Sequence, residues 1–328
     1  MLSGIDFSTP IWLVNYYHIL GTFSLVINSY VLFLVIFKSD KIETFKYFLL
    51  TFQSSCFMVD IHLTFLMQPQ PLYPIPAGFC IGLLAQNNFL SCQHLMTLMM
   101  ALGTVQVSAL TLCFFRKFIA MKKIERQELA PWKEVLTVVL MAILVPIVIF
   151  YFELCANSEE ETFRIIMRDY PEYLQSFKTL TNFAIYEFNI YWIIILLIVL
   201  FGALWYGSTV FYTTHRIYEI LEKFKSSMSP VTYKKHKLAM MSLVAQLATS
   251  AIGLFPPFLI CCVLIIEFEY AQVTGRFLLM IFSTHASINA IVLIVTTPPY
   301  RRFTVFWRNT KTTPLAVSTT KAKLVKPP

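Results

Sequence analysis

Seven long apolar runs, residues 11–37, 47–67, 79–115, 135–152, 190–212, 238–266 and 277–297, take up most of this chain. Each is near or above the roughly 20 residues a helix needs to cross about 30 Å of hydrocarbon. They read as seven spanning helices of an all-α membrane protein, a bundle whose two termini lie on opposite sides of the bilayer. A soluble domain of 328 residues that was 57% hydrophobic and only 13% charged would expose far too much apolar surface. The first run has no basic residue before it and exceeds the length of a signal-peptide core, so it reads as a retained span.

The loops orient the bundle. Loops 38–46, 116–134 and 213–237 and the tail 298–328 hold 22 Lys and Arg against 7 acids, whereas the N-terminus and the other three loops hold 4 against 10. Basic loops stay in the cytoplasm, so the N-terminus is expected outside and the tail inside. The net charge of +8 is concentrated on that inner face. Its counterparts there are lipid headgroups of the bilayer and a cytoplasmic partner, not nucleic acid.

Residues 1–308 read as one domain and 309–328, rich in Pro, Thr and Lys, as a disordered basic cytoplasmic tail. Where they meet, Phe303, Phe306 and Trp307 recur at i, i+3 and i+4 beside Arg301, Arg302 and Arg308, the pattern of a short amphipathic helix over about residues 300–308 on the inner membrane surface. The acidic outer segment 153–189 reads as a small ordered cap or a solvated strand-like excursion. Seven cysteines show no metal spacing, and most lie inside spans as small buried hydrophobes. Cys80 and Cys155 fall on the outer, oxidising side, so a Cys80–Cys155 disulfide is expected to tie the long outer loop to the third span.

One acid, Asp60, lies inside a span, where a carboxylate is costly unless protonated, paired or facing a wet cavity. Counted from the cytoplasmic ends of their spans, Asp60 and His285 sit at similar depth, about 20 Å in. With Asn289 they form a polar cluster between the second and seventh helices, read either as a protonation or ion switch or as a static hydrogen-bond network. Asp60, His62, His94 and His285 lack the i, i+3 or i+4 spacing of helical metal ligands, so no metal is expected. Residues 277–297 contain no lysine for a retinal Schiff base, and no other cofactor is implied. On the third run, Asn88, Cys92, Leu95 and Met99 share one face at i, i+4, i+7 and i+11. With His285 they are candidate pocket walls for a small, mostly apolar ligand, although helix packing would account for each alone. Pro256 and Pro257 interrupt the sixth run and read as a hinge or a static kink. Arg116 and Lys117, with Lys234 and Lys235, are candidate contacts for a cytoplasmic partner or plain interfacial anchors.

The Pro-rich segment from Gln68 through Pro69, Pro71, Pro74 and Pro76 to Gly78, the intramembrane Asp60, and the ending Thr296-Thr297-Pro298-Pro299-Tyr300-Arg301-Arg302 are similar to nematode serpentine chemoreceptors of the Str superfamily, class I (Sri) or class H (Srh). The resemblance covers about residues 10–308. It implies a rhodopsin-like receptor, not an enzyme, in the plasma membrane of sensory-neuron cilia. Such a receptor binds a small environmental molecule in the outer half of its bundle and activates a heterotrimeric G protein. Arg116 then takes the place of the arginine in the acid-Arg-aromatic triplet of rhodopsin-like receptors, but here Phe115 precedes it and Lys117 follows. The alternatives are a ligand-gated channel, which would need its N-terminus inside against the charge rule, and a seven-span transporter, which lacks the second polar half-site of a repeat.

Overall fold

The computed structural model describes residues 4–39, 45–86, 89–126, 129–266 and 269–304. In chain order the elements are α1 (Ile11–Phe37), α2 (Phe45–Ile61) continued by a π-helical turn (His62–Met67), strands β1 (Pro69–Pro71) and β2 (Ala77–Cys80), α3 (Leu83–Gln86), α4 (Cys92–Ile124), α5 (Pro131–Glu153), α6 (Glu159–Asp169), a 3-10 turn (Pro171–Tyr173), α7 (Leu174–Lys178), β3 (Phe183–Ile185), α8 (Ile190–Lys223), α9 (Pro230–Ile266), α10 (Ala271–Thr296) and α11 (Pro298–Thr304). Among the described residues six helices, α1, α2 with its π turn, α4, α5, α8 and α10, are long and apolar enough to span a bilayer. The 37-residue α9 covers the remaining apolar run and completes the seven. Helix α4 packs against α2, α5 and α8, while α10 packs along α9 and α1.

Start signals are local and chemical. Ser91 caps α4 by accepting from the His94 amide, and Asn189 caps α8 by accepting from the amides of Tyr191 and Trp192. Pro131 opens α5 where its missing donor costs nothing. Ser158 and Glu161 form a reciprocal capping box on α6, and Glu159, Glu160 and Glu161 fill its first turn, where the helix dipole favours negative charge. That turn is where the acidic outer segment goes.

The three strands form one antiparallel sheet, order β1-β2-β3, pairing Gln70 with Phe79 and Gly78 with Ala184. Alternation along the strands gives the sheet two faces. Leu72, Ala77, Phe79 and Ile185 join Ile165 and Ile166 of α6 and Phe177 of α7 in a cap core, with the Phe7 ring 5.0 Å from that of Phe177. Cys80 looks the other way, to Met67, Cys92 and Leu95 of the bundle. The sheet is thus a lid over one end of the bundle, here the lid end. The opposite, basic end carries the lysine-rich loops.

Two expectations are corrected by this lid. The third span does not begin at Phe79: residues 79–80 finish β2, Leu83–Gln86 is a separate short helix, and α4 starts at Cys92. The stretch is apolar because much of it is buried under the cap and lid. Nor does Cys80 pair with Cys155. Its partner is Cys92, with Cα atoms 5.5 Å apart, because the end of β2 lies on the first turn of α4. Cys155 is a buried free thiol packed with Val148, Phe152 and Ile195, its Sγ 3.4 Å from the Tyr151 carbonyl.

At the basic end, α4, α8 and α9 have 33, 34 and 37 residues. At about 1.5 Å per residue they run about 50 Å or more, well past the hydrocarbon. Phe118, Ile119, Ile217, Ile220, Leu221 and Met240 hold their ends together. Helix α11 folds back on α1. Tyr300 is fully buried among Val31, Leu34 and Leu293 and its hydroxyl bonds Ser39, while the Lys38 ammonium sits 4.2 Å over the Phe303 ring. A short helix is present as Pro298–Thr304, while Phe306, Trp307 and Arg308 of the expected amphipathic pattern and the tail lie outside the described residues.

Candidate functional site

Immediately beneath the lid, Tyr73 from the β1–β2 turn is packed with Val263, Ala271 and Leu278. Its ring fits because position 275 is glycine: a Cβ there would stand 2.6 Å from Tyr73 Cε2. Tyr17 of α1 is fully buried with its hydroxyl unpartnered. The N-terminal segment is strapped over this region. Asp6 donates its amide to Gln272 Oε1 (3.0 Å) and accepts through its carbonyl from Gln272 Nε2 (2.8 Å), and its carboxylate lies 3.5 Å from buried Arg276. The Ser8 hydroxyl, first, and then the Arg276 charge hold the Asp6 carboxyl below its ordinary range.

The predicted pocket face of α4 is a packing face. Cys92 is a half-cystine, Leu95 is fully buried against Met67 and Cys80, and Met99 packs against Val59, Leu63 and Phe282. His62 Nε2 donates to the Leu95 carbonyl at 2.8 Å, pinning the π turn to α4. Asn88 lies outside the described residues. The next face of α4, bearing Met96 and Met100, looks toward α5 and α8 and packs against the cluster of Val148, Phe152, Cys155 and Ile195, on which Tyr186 and Trp192 also pack.

Deeper in the bundle a polar seam crosses the spans. Asp60 is 1% exposed, and among the described residues neither carboxylate oxygen has a hydrogen-bond partner; Ser24 of α1 stands close by. Asn28 Nδ2 donates to Ser24 Oγ at 2.8 Å, and Gln53 Nε2 donates to Asn28 Oδ1 at 2.7 Å, so the seam joins α1 to α2. Asn289 of α10 donates to Cys56 Sγ at 3.4 Å and accepts from Thr249 of α9 at 3.1 Å. His285 departs from the expected cluster. Its Nδ1 donates to the Phe282 carbonyl (2.8 Å), leaving Nε2 to accept from Gln106 Nε2 of α4 (3.1 Å). Depth placed Asp60 and His285 together, but rotation about the helix axes points them to different neighbours. Gln106, Asn28 and Gln53 were missed, although each is a polar residue inside an apolar run and the test that singled out Asp60 finds them too.

Toward the basic end, Arg116 does find an acid, on another helix: Glu134 in the first turn of α5, at 3.5 Å, with the Phe48 ring 5.0 Å from the guanidinium. Lys117 donates to His236 Nδ1 of α9 at 3.1 Å. Lys234 and Lys235 are exposed on the first turns of α9. Glu125, just past α4, accepts from Lys223 of α8 (3.1 Å) and Lys122 (3.4 Å), and these two, Lys223 first, hold its carboxyl below the ordinary range. Helix α9 runs through Pro256 and Pro257 without ending, so whatever the prolines do, they do inside a helix.

A sequence profile described as serpentine type 7TM GPCR chemoreceptor Sri matches residues 3–304. Among solved structures, squid rhodopsin is similar in fold, with a TM-score of 0.55 at 11% identity, covering 88% of this chain and 82% of that one. No curated protein matches the chain significantly. The seven-helix receptor architecture read from the sequence is the one observed.

Proposed function

Because the chain belongs to the Sri family of serpentine seven-transmembrane chemoreceptors, we propose that it binds a small environmental molecule under its lid and passes the signal to a heterotrimeric G protein at its basic end. The carrying observation is the contrast between the two ends. One is covered by an ordered cap of strap, sheet and short helices, while at the other α4, α8 and α9 extend around an apolar cluster of Phe118, Ile217, Ile220, Leu221 and Met240. A receptor needs this asymmetry: a closed compartment to recognise a molecule and a basic end that can part to admit a partner.

In this reading the lid faces outward, consistent with the positive charge of the other end, and the protein sits in the plasma membrane of a sensory cell. The bonds Gln53–Asn28, Asn289–Cys56 and Thr249–Asn289 link α1, α2, α10 and α9 around buried Asp60, so a shift of one helix at the lid end changes hydrogen bonds that the others share. Arg116 and Lys117 hold α4 to α5 and α9 in the resting state, and release of the Lys117–His236 contact accompanies outward movement of α9. The bend-prone Pro256 and Pro257 act as the pivot.

The test is nucleotide exchange on a G protein by membranes containing the receptor, during a screen of volatile and water-soluble compounds. Exchange that rises with a compound and is lost on deleting the strap and cap supports the proposal. Uptake of a compound into vesicles with no exchange would replace it with a transporter.

A further inference from the structure

Resting on the receptor reading, the structure assigns the recognition subsite to the junction of lid, α5 and α8. We propose that there the Tyr186 hydroxyl and the Trp192 indole N–H grip a hydrogen-bond acceptor on a neutral, otherwise apolar ligand. Both donors are buried, and among the described residues neither has a partner. Their rings stand 5.2 Å apart in a T-shaped pair, and each also packs on Phe152, at 5.9 Å and 6.1 Å. Met96 and Met100 of α4 complete the cluster, so pliable thioethers form the remaining wall.

Buried polar groups are normally paired, and an unpaired one lowers stability. Two unpaired donors in one aromatic cluster therefore specify what is missing, which is lone pairs. An anion is a poor fit, because the Glu153 carboxylate is near enough to act on Tyr186. A protonated amine would present more donors to groups that already are donors. A carbonyl or ether oxygen on an aliphatic body satisfies the donors and leaves the rings and thioethers in apolar contact.

The position couples recognition to the rest of the fold. The Tyr186 amide donates to the Pro76 carbonyl of the lid turn at 2.8 Å, and the Asn189 cap sets Trp192 in the first turn of α8. A ligand held by both residues therefore bridges lid and α8.

The experiment measures melting of the purified full-length receptor in detergent with 2-octanone or octane, in wild type and in Tyr186→Phe and Trp192→Phe variants. We expect 2-octanone, and not octane, to raise the melting temperature. Tyr186→Phe should weaken the 2-octanone effect about five- to ten-fold in apparent affinity, the loss of one hydrogen bond. Without any probe, the same variant should melt no lower than wild type, because it removes a hydroxyl that has no partner. That second readout separates a ligand contact from a structural one. Equal stabilisation by ketone and alkane, stabilisation by neither, or an unliganded Tyr186→Phe protein that is clearly destabilised would each overturn the subsite. Receptor-driven nucleotide exchange that is indifferent to Tyr186→Phe would overturn the subsite while leaving the receptor reading standing.

Discussion

Replacing Cys92 by Ala should be as damaging as replacing Cys80, and replacing Cys155 should do little. The bridge links residues separated by 12 positions and fastens the end of β2 to the first turn of α4. Chain-entropy arguments put a cross-link around a loop of this size at about 3 kcal/mol. That loss falls on the lid, since Cys80, Cys92, Met67 and Leu95 share one core. Cys155 contributes only its packing beside Phe152 and one weak sulfur contact, about 1 kcal/mol or less. Melting in detergent and surface expression are the assays. Each single variant, Cys80→Ala or Cys92→Ala, should lose about the same amount, and the double variant should be little worse than either because both remove one bond. Equal damage from Cys80→Ala and Cys155→Ala with a silent Cys92→Ala would refute the pairing. So would additive losses in the double variant.

Gly253→Ala should lower stability despite the roughly 1 kcal/mol helix preference for Ala, because the new methyl would meet His285 Cβ and stand 2.9 Å from its Cγ. Atoms so near the backbone cannot swing away, and overpacking of this kind costs about 1–3 kcal/mol; a raised melting temperature would contradict the packing. Asp60→Asn keeps the shape of a carboxylate that has no hydrogen-bond partner, so surface expression should hold while agonist potency shifts, and unchanged potency would make the seam purely structural. Glu125 has its folded pKa depressed below 4.5, so its contribution is complete at neutral pH and disappears as the pH falls through that lowered value. Glu125→Gln should therefore melt below wild type at pH 7 and converge with it in strong acid; a gap that persists there would show that the loss is not electrostatic.

The spans were legible because lipid imposes a length and an apolar composition that few other structures share. The lid was not, and the reason is visible in residues 79–90. Phe79 and Cys80 are buried in the cap and lid cores, so they look in sequence like the start of a span, and the break before Cys92 is hidden. Read as part of a span, Cys92 is an intramembrane thiol and no partner for a cysteine on the oxidising side. Depth along a helix could also be counted, which located Asp60 and His285 in the same layer. Rotation could not, and His285 turns to Gln106 of α4. Arg116 shows the same limit: its acid was sought beside it in sequence, whereas Glu134 arrives from the next helix. Tyr186 and Trp192 stood out by no spacing at all, since an unpaired donor is a property of three-dimensional packing.

In the proposed activation the basic end opens when the lid end is occupied. Ala120 of α4 and Lys237 of α9 are both exposed there, which makes them suitable for spin labels. The distance between labels at Ala120→Cys and Lys237→Cys should be measured by pulsed electron resonance in lipid nanodiscs, with and without an activating compound and nucleotide-free G protein. A longer-distance population should appear with the compound and be reinforced by the G protein. A single distance, unchanged by either addition while nucleotide exchange proceeds, would contradict that activation.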